Sequence, residues 1–225
     1  QELKTILELM KNYEKLRLDI KGHSSKDGME AYDLYFSFKR AEVIADYLIE
    51  QGIDPQKISI KGFGSNYPVA RYETGGEKSK IAAKVNSRIE FKIFNADLYP
   101  IKLSPVEPYL VDYLRDKKGI LYKTLEEGLS YRVQISSVKR MYQNQVLLLY
   151  NDSMIEREMK SDIYKYTLGL YKEYKEAQEL VEDLKNYNIT DAFIVPYLDG
   201  KRIPGKEMRK LAESHPDLQR YLTKQ

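Results

Sequence analysis

The chain has 225 residues, 42% of them hydrophobic, which suffices for a buried core in one or two domains and excludes disorder as the main state. Lysine and arginine number 37 against 34 aspartates and glutamates, and the residual +3 is spread evenly, so no basic stripe suited to nucleic acid stands out. The absence of cysteine removes disulfides, thiol catalysis and cysteine-type zinc sites, and the two histidines, His23 and His215, leave little material for metal or acid–base chemistry.

In chain order, a helical pattern comes first, with Leu3, Ile6, Leu7 and Met10 at i, i+3, i+4 and i+7. It does not read as a signal peptide, and with no initiating methionine the chain is expected to be a piece of something longer. Strict alternation of Leu16, Leu18 and Ile20 with Arg17, Asp19 and Lys21 marks a half-buried strand, closed by the turn Gly22 to Gly28. A long helix with Phe36, Ala41, Ile44, Tyr47 and Leu48 on its inner face ends at Gly52, and Asp54-Pro55 leads into a strand over Ile58 to Gly62. Strand, helix and strand of this length form a crossover with parallel strands. A loop through Gly75-Gly76, a short alanine-bearing helix and a strand from Arg88 to Phe94 complete a first domain by residue 96.

Pro100, Pro105 and Pro108 mark residues 97–128 as a linker with one short helix near Tyr109 to Leu114. A second module begins with Tyr131, Val133 and Ile135 alternating with Arg132, Gln134 and Ser136. It continues through a helix over Gln143 to Tyr150, strands at Ile155 to Met159 and Tyr164 to Tyr171, a helix over 173–187 capped by Asn188, and a strand from Ala192 to Tyr197. The order βαββαβ is that of a ferredoxin-like split unit. A polar tail, with a surface helix broken at Pro216, follows from residue 204. The longest apolar run, near Val146 to Tyr150, falls far short of the roughly 20 residues that a membrane-spanning helix needs.

Four segments carry a resemblance: Leu18-Asp19-Ile20-Lys21-Gly22-His23-Ser24-Ser25, Ser37-Phe38-Lys39-Arg40-Ala41 with Tyr47-Leu48, Lys61-Gly62-Phe63-Gly64, and Asn86-Ser87-Arg88-Ile89-Glu90-Phe91. In this order over about 95 residues they resemble the OmpA-like peptidoglycan-associating domain. The family usually begins with a further strand before the first helix. The resemblance implies a site for the zwitterionic centre of diaminopimelate in the peptidoglycan stem peptide, held by a carboxylate in the turn and by an arginine, here Arg40. One anion and one fork-shaped cation a few ångströms apart suit an ammonium and a carboxylate on one carbon. The chain departs from this pattern, with Ser24 in place of threonine, Ser25 in place of the aspartate, Asp33 in place of an asparagine and Ser87 in place of the first arginine before Arg88. Asp27 and Asp33 are the carboxylates that could stand in for the missing anion.

The second module resembles the SPOR family, whose members bind glycan strands stripped of stem peptides. The resemblance rests on Tyr131-Arg132-Val133-Gln134-Ile135, Tyr166-Thr167-Leu168-Gly169-Leu170-Tyr171, Glu176-Ala177 and Asp191-Ala192-Phe193-Ile194-Val195, with Ser136-Ser137-Val138 where Gly-Ser-Phe is common. Alternation places Val133, Ile135, Leu168 and Leu170 in the core and Arg132, Gln134, Lys165 and Thr167 on an open sheet face suited to sugar. The expected fold is therefore α+β. It comprises an OmpA-like mixed-sheet α/β sandwich over 1–96, the linker over 97–128, a ferredoxin-like SPOR-type domain over 129–203 and the tail over 204–225.

Plainer readings stand beside these. His23 next to Ser24 and Ser25 is a turn histidine rather than half of a triad, because adjacent turn residues seldom align as one. Gly62-Phe63-Gly64 lacks the third glycine of a dinucleotide fingerprint and reads as a turn. Arg40 could instead pair with Asp19, Asp27 or Asp33, the tyrosines at 164, 166, 171 and 174 could be packing, and Lys206 to Glu213 is solvated helix surface. Two function classes remain. One is a non-enzymatic periplasmic module that anchors an envelope protein to the cell wall near the outer membrane, through the stem peptide, the glycan strand or both. The other is a protein–protein scaffold on degenerate wall-binding folds within an envelope complex such as a secretion or motility machine. Neither class calls for a cofactor, a metal or nucleic acid.

Overall fold

The computed structural model describes residues 2–26, 30–74, 77–150 and 152–224. Its first elements are α1 (Glu2–Asn12), β1 (Arg17–Gly22), α2 (Glu30–Glu50), β2 (Ile58–Gly62), a small hairpin of β3 (Glu73–Thr74) and β4 (Glu77–Lys78), α3 (Lys80–Asn86) and β5 (Ile89–Phe94). After a connecting stretch come α4 (Lys117–Glu126), β6 (Leu129–Val138), α5 (Val146–Leu149), β7 (Met154–Glu158), β8 (Tyr164–Tyr171) and α6 (Tyr174–Leu184). The last are β9 (Phe193–Leu198), β10 (Lys201–Arg202), α7 (Gly205–Ala212) and α8 (Pro216–Thr223). The chain divides into two units, Gln1–Asp116 with Met154–Tyr164, and Lys117–Ser153 with Lys165–Gln225.

In the first unit β1 and β2 are parallel, with Leu18 opposite Ile58, Ile20 opposite Ile60 and Gly22 opposite Gly62, and α2 is their crossover. β5 runs antiparallel to β1, and β7 runs antiparallel to β2, which gives the order β7-β2-β1-β5. α2 packs on β1 and β2 through Leu34, Phe38, Ala41, Ala45 and Leu48. This is not the stripe expected from periodicity, since Phe36 and Tyr47 are 53% and 41% exposed. The paired glycines decide the difference. A Cβ on Gly22 would lie 1.8 Å from the Ser37 carbonyl oxygen, and one on Gly62 would lie 2.5 Å from the Phe38 Cβ. The helix therefore rests on the sheet at Ser37 and Phe38, and that contact fixes which of two apolar registers turns inward.

β1 is also not half-buried, because Asp19 and Lys21 are as hidden as the leucines. Their burial is tolerated because they are paired: Lys61 forms an ion pair with Asp19, and the Ser59 hydroxyl donates to the same carboxylate. β7, expected in the second module, pairs with β2, with Ser59 opposite Glu158 and Lys61 opposite Glu156, and falls in the first unit. Arg157 of β7 secures it by an ion pair of 2.6 Å to Glu42 of α2. The linker is likewise firmer than its prolines suggest. Leu110 and Leu114 pack with Ala70 and Ala82, and the Arg71 amide donates to the Leu114 carbonyl at 2.8 Å. Residues 102–109 are the exposed part, and the expected helix shrinks to one 3-10 turn at Asp112–Leu114.

The second unit has strand order β10-β9-β6-β8, with β6 antiparallel to β9. α6 packs on β6 and β9, with Tyr174, Ala177, Leu180 and Leu184 buried, and a 3-10 turn at Lys185–Tyr187 carries it on to the left-handed Asn188 (φ 59°), the cap its sequence indicated. The βαββαβ order is present along the chain as β6, α5, β7, β8, α6 and β9, and its second strand, β7, falls in the first of the two units. The tail is more than surface. α7 and α8 pack together, Pro216 opens α8, and Leu218 and Tyr221 are buried beneath it. Asp217 of α8 accepts a 2.7 Å hydrogen bond from the Tyr174 amide at the start of α6.

Candidate functional site

The carboxyl ends of β1 and β2 lie side by side, and the residues that follow them form the floor of a site, a common place for ligands on parallel strands. After Gly22, the His23 amide donates to the Arg88 carbonyl at 2.9 Å, the Ser24 amide to the Gly64 carbonyl at 2.8 Å, and the Ser25 amide to the Ser87 hydroxyl at 3.1 Å. The Ser24 hydroxyl donates to the Asp33 carbonyl at 3.1 Å. Gly64 turns with φ 58°, and its amide donates to the Ser37 hydroxyl at 2.8 Å, so the Gly62-Phe63-Gly64 segment is a turn that locks onto α2. All four motif segments therefore meet at one point.

Arg40 lies on the same helix face as Asp33 and Ser37, at i+7 and i+3 from them. It is exposed, and its guanidinium donates one hydrogen bond of 3.2 Å, to the His23 carbonyl. Among the described residues no carboxylate pairs with it, and Asp19 is taken by Lys61. Arg88 is committed inward, donating to Glu90 at 2.7 Å and to the Tyr67 carbonyl at 3.2 Å. Asp27 lies outside the described residues.

Behind the turn, His23 is buried and stacks on Phe63 with ring centroids 5.2 Å apart, and its Nε2 is 3.8 Å from Glu90. Burial alone would raise the Glu90 carboxyl, but the attraction of His23, Arg88 and Lys21 outweighs it and holds the group at about 2. Sequence reasoning missed Glu90, Ser37 and Asn86 as parts of the site. The fully buried Asn86 accepts the Val69 and Ala70 amides at 2.9 Å and donates to the Ala70 carbonyl at 2.7 Å. The signal for all three lay inside the quoted motifs, but a polar residue in a motif does not reveal whether it faces ligand or backbone.

The other expected face is not open. Arg132, Gln134 and Thr167 are 3%, 5% and 0% exposed, and of the four only Lys165 is partly exposed. Arg132 donates to the Asp152 and Gly169 carbonyls, both at 2.8 Å, and Gln134 accepts from Arg202. Alternation identifies the second face but says nothing about what covers it. The tyrosine series is packing at Tyr166 and Tyr174, which are buried. Among the described residues no cluster of histidine and carboxylate could hold a metal, and no helix is long and apolar enough to cross a membrane.

With the turn, the glycine pair and Arg40 in place, comparison with known proteins becomes specific. Residues 1–82 match the OmpA family. The outer membrane porin F of Pseudomonas fluorescens is 27% identical over 92 residues, covering 41% of this chain and 27% of the porin. The peptidoglycan-binding protein ArfA of Mycobacterium tuberculosis is 31% identical over 77 residues, covering 34% of this chain and 22% of that protein. The chain thus spans about a quarter of the length of the first curated relatives it matches. Among solved structures, the peptidoglycan-associated lipoprotein from Burkholderia pseudomallei aligns over 40% of this chain and 73% of its own, with 20% identity and a TM-score of 0.36. The OmpA-family match ends before β5, and there the Arg88 carbonyl accepts the His23 amide while Glu90 stands opposite Lys21 of β1.

Proposed function

We propose that the chain is a non-enzymatic wall-binding module of a periplasmic envelope protein, which holds the peptidoglycan stem peptide at the end of β1 and β2. The carrying observation is Arg40, an exposed arginine whose guanidinium donates to the His23 carbonyl, at the point where all four motif segments meet. A planar fork in that position suits a carboxylate. Ser24, Ser25 and Asp33 shape the turn, Arg88 braces it, and Asp27 belongs to the same loop. The names of the relatives, an outer membrane porin and a peptidoglycan-binding protein, support the reading and its location at the outer membrane or wall.

In the second unit the proposal is a SPOR-like glycan module, supported by the strand and helix order and the Asn188 cap. With Arg132, Gln134 and Thr167 buried, Lys165 makes the polar contact to glycan. The scaffold alternative draws on Ser25, which offers no charge where the OmpA-like pattern has an aspartate. Co-sedimentation with intact and with peptide-stripped sacculi tests both parts. Arg40→Ala is expected to reduce binding to intact sacculi, and Lys165→Ala to reduce binding to stripped ones. A chain that sediments with neither preparation supports the scaffold.

A further inference from the structure

One face of α2 is left out of the core, and it runs through Arg40. Tyr32, Phe36, Arg40, Val43 and Tyr47 stand at i, i+4, i+8, i+11 and i+15, a single stripe along the helix, and all five are exposed. Contiguous exposed apolar side chains of this kind mark interaction surfaces. Two of the rings form one surface: Tyr32 and Phe36 stack with centroids 6.2 Å apart and planes inclined by 27°. Phe36 is one helical turn from Arg40 and Tyr32 two, about 6 and 12 Å along the axis.

The occupant has to suit both the rings and the cation. An apolar protein face laid on the stripe would strip water from the Arg40 guanidinium, whose hydrogen bond to the protein goes to a neutral carbonyl, and would give it no anion. A ligand that brings a carboxylate to Arg40 avoids that cost. On the reading that this site binds the stem peptide, such a ligand is covalently tied to a sugar a few residues away. In an extended chain that is about 10 Å, which reaches from Arg40 to Phe36 and Tyr32. A pyranose carries C–H bonds on its faces and hydroxyls around its rim, so it lies flat on an aromatic face while its hydroxyls keep their water. We propose that Tyr32 and Phe36 form a platform for the amino sugar that bears the stem peptide, so that this face of α2 holds sugar and peptide together.

The test is titration calorimetry of the whole chain with two probes, a stem tripeptide and the same tripeptide joined to N-acetylmuramic acid. The parent is expected to bind the sugar-bearing probe about tenfold more tightly, the scale that one or two aromatic faces supply. Tyr32→Ala combined with Phe36→Ala should abolish that difference and leave the tripeptide affinity and the urea midpoint unchanged, whereas Arg40→Ala should weaken both probes. Equal affinity of the parent for the two probes, or a difference that survives the double substitution, overturns the platform and leaves stem-peptide binding through Arg40 intact. A double variant that keeps its urea midpoint but loses the bare tripeptide assigns the rings to the peptide and overturns the platform as well. Binding of neither probe by the parent overturns both the platform and the stem-peptide reading.

Discussion

Glu90 shows how one carboxylate links the turn to the sheet. Its folded value of about 2 lies below the ordinary 4.5, so its contribution to stability is complete above about pH 4.5 and is lost as the pH falls toward 2. At about 1.4 kcal/mol per unit, the shift corresponds to at most roughly 3.5 kcal/mol. Glu90→Gln is expected to lower the urea midpoint at pH 7, and the gap to the parent should close as the pH approaches 2. A gap that stays constant across that range would assign the loss to packing rather than to charge. At Gly22 the deciding force is steric. A Cβ there meets the Ser37 carbonyl at 1.8 Å, and because the obstacle is backbone it cannot rotate away. Gly22→Ala should cost roughly 1–3 kcal/mol or more through overpacking and should displace α2, so that Arg40-dependent wall binding falls with stability.

Among elements, β7 is the least foreseeable. Periodicity identifies Met154–Glu158 as a strand, yet a strand does not encode its neighbour in its own sequence. What ties it to β2 and α2 is Arg157, which donates to Glu42 and to the Ser161 carbonyl, both at 2.6 Å, and lies over the Tyr164 ring at 5.4 Å. Arg157→Ala removes one of the two cations on the partly buried Glu42, leaving it Lys39 alone, and should cost about 1–3 kcal/mol, read as a lower urea midpoint of the first unit. α8 is the corresponding element in the second unit. Leu218 is fully buried, so Leu218→Ala is expected to cost about 2–5 kcal/mol. Fluorescence or amide exchange resolved by unit should locate that loss in residues 165–225 and leave the Arg40 site unaffected.

For the whole chain, the return of β7 to the first unit changes what can be cut apart. Residues 102–109 are exposed throughout, with Val106 81% and Tyr109 92% accessible, so limited proteolysis should begin there. The carboxyl-terminal fragment of such a cut still carries β7, which is hydrogen-bonded to β2. The two fragments should therefore co-elute under native conditions and separate in denaturant. By the same logic a truncation ending at residue 96 loses β7, Leu110 and Leu114 and leaves the β2 edge bare, and it should be less stable and more prone to associate than the full chain.

Local patterns by themselves determined the identity of most elements, the β1–α2–β2 crossover from its periods and the Asn188 cap from its left-handed preference, while the grouping of Ser24, Ser25, Asp33, Arg40 and Arg88 came only from the resemblance of their motifs to a known family. These are properties of short stretches, governed by periodicity and by what a Cβ permits. The tertiary structure alone decided that α2 turns Phe38 inward rather than Phe36, that Asp19 is buried with Lys61 and Lys21 is buried beside it on β1, that Arg132, Gln134 and Thr167 are covered, and that β7 pairs with β2. Each of these depends on which distant segment arrives to pair with a strand or cover a face, and a polar side chain looks the same in sequence whether its partner is water or a carboxylate 40 residues away.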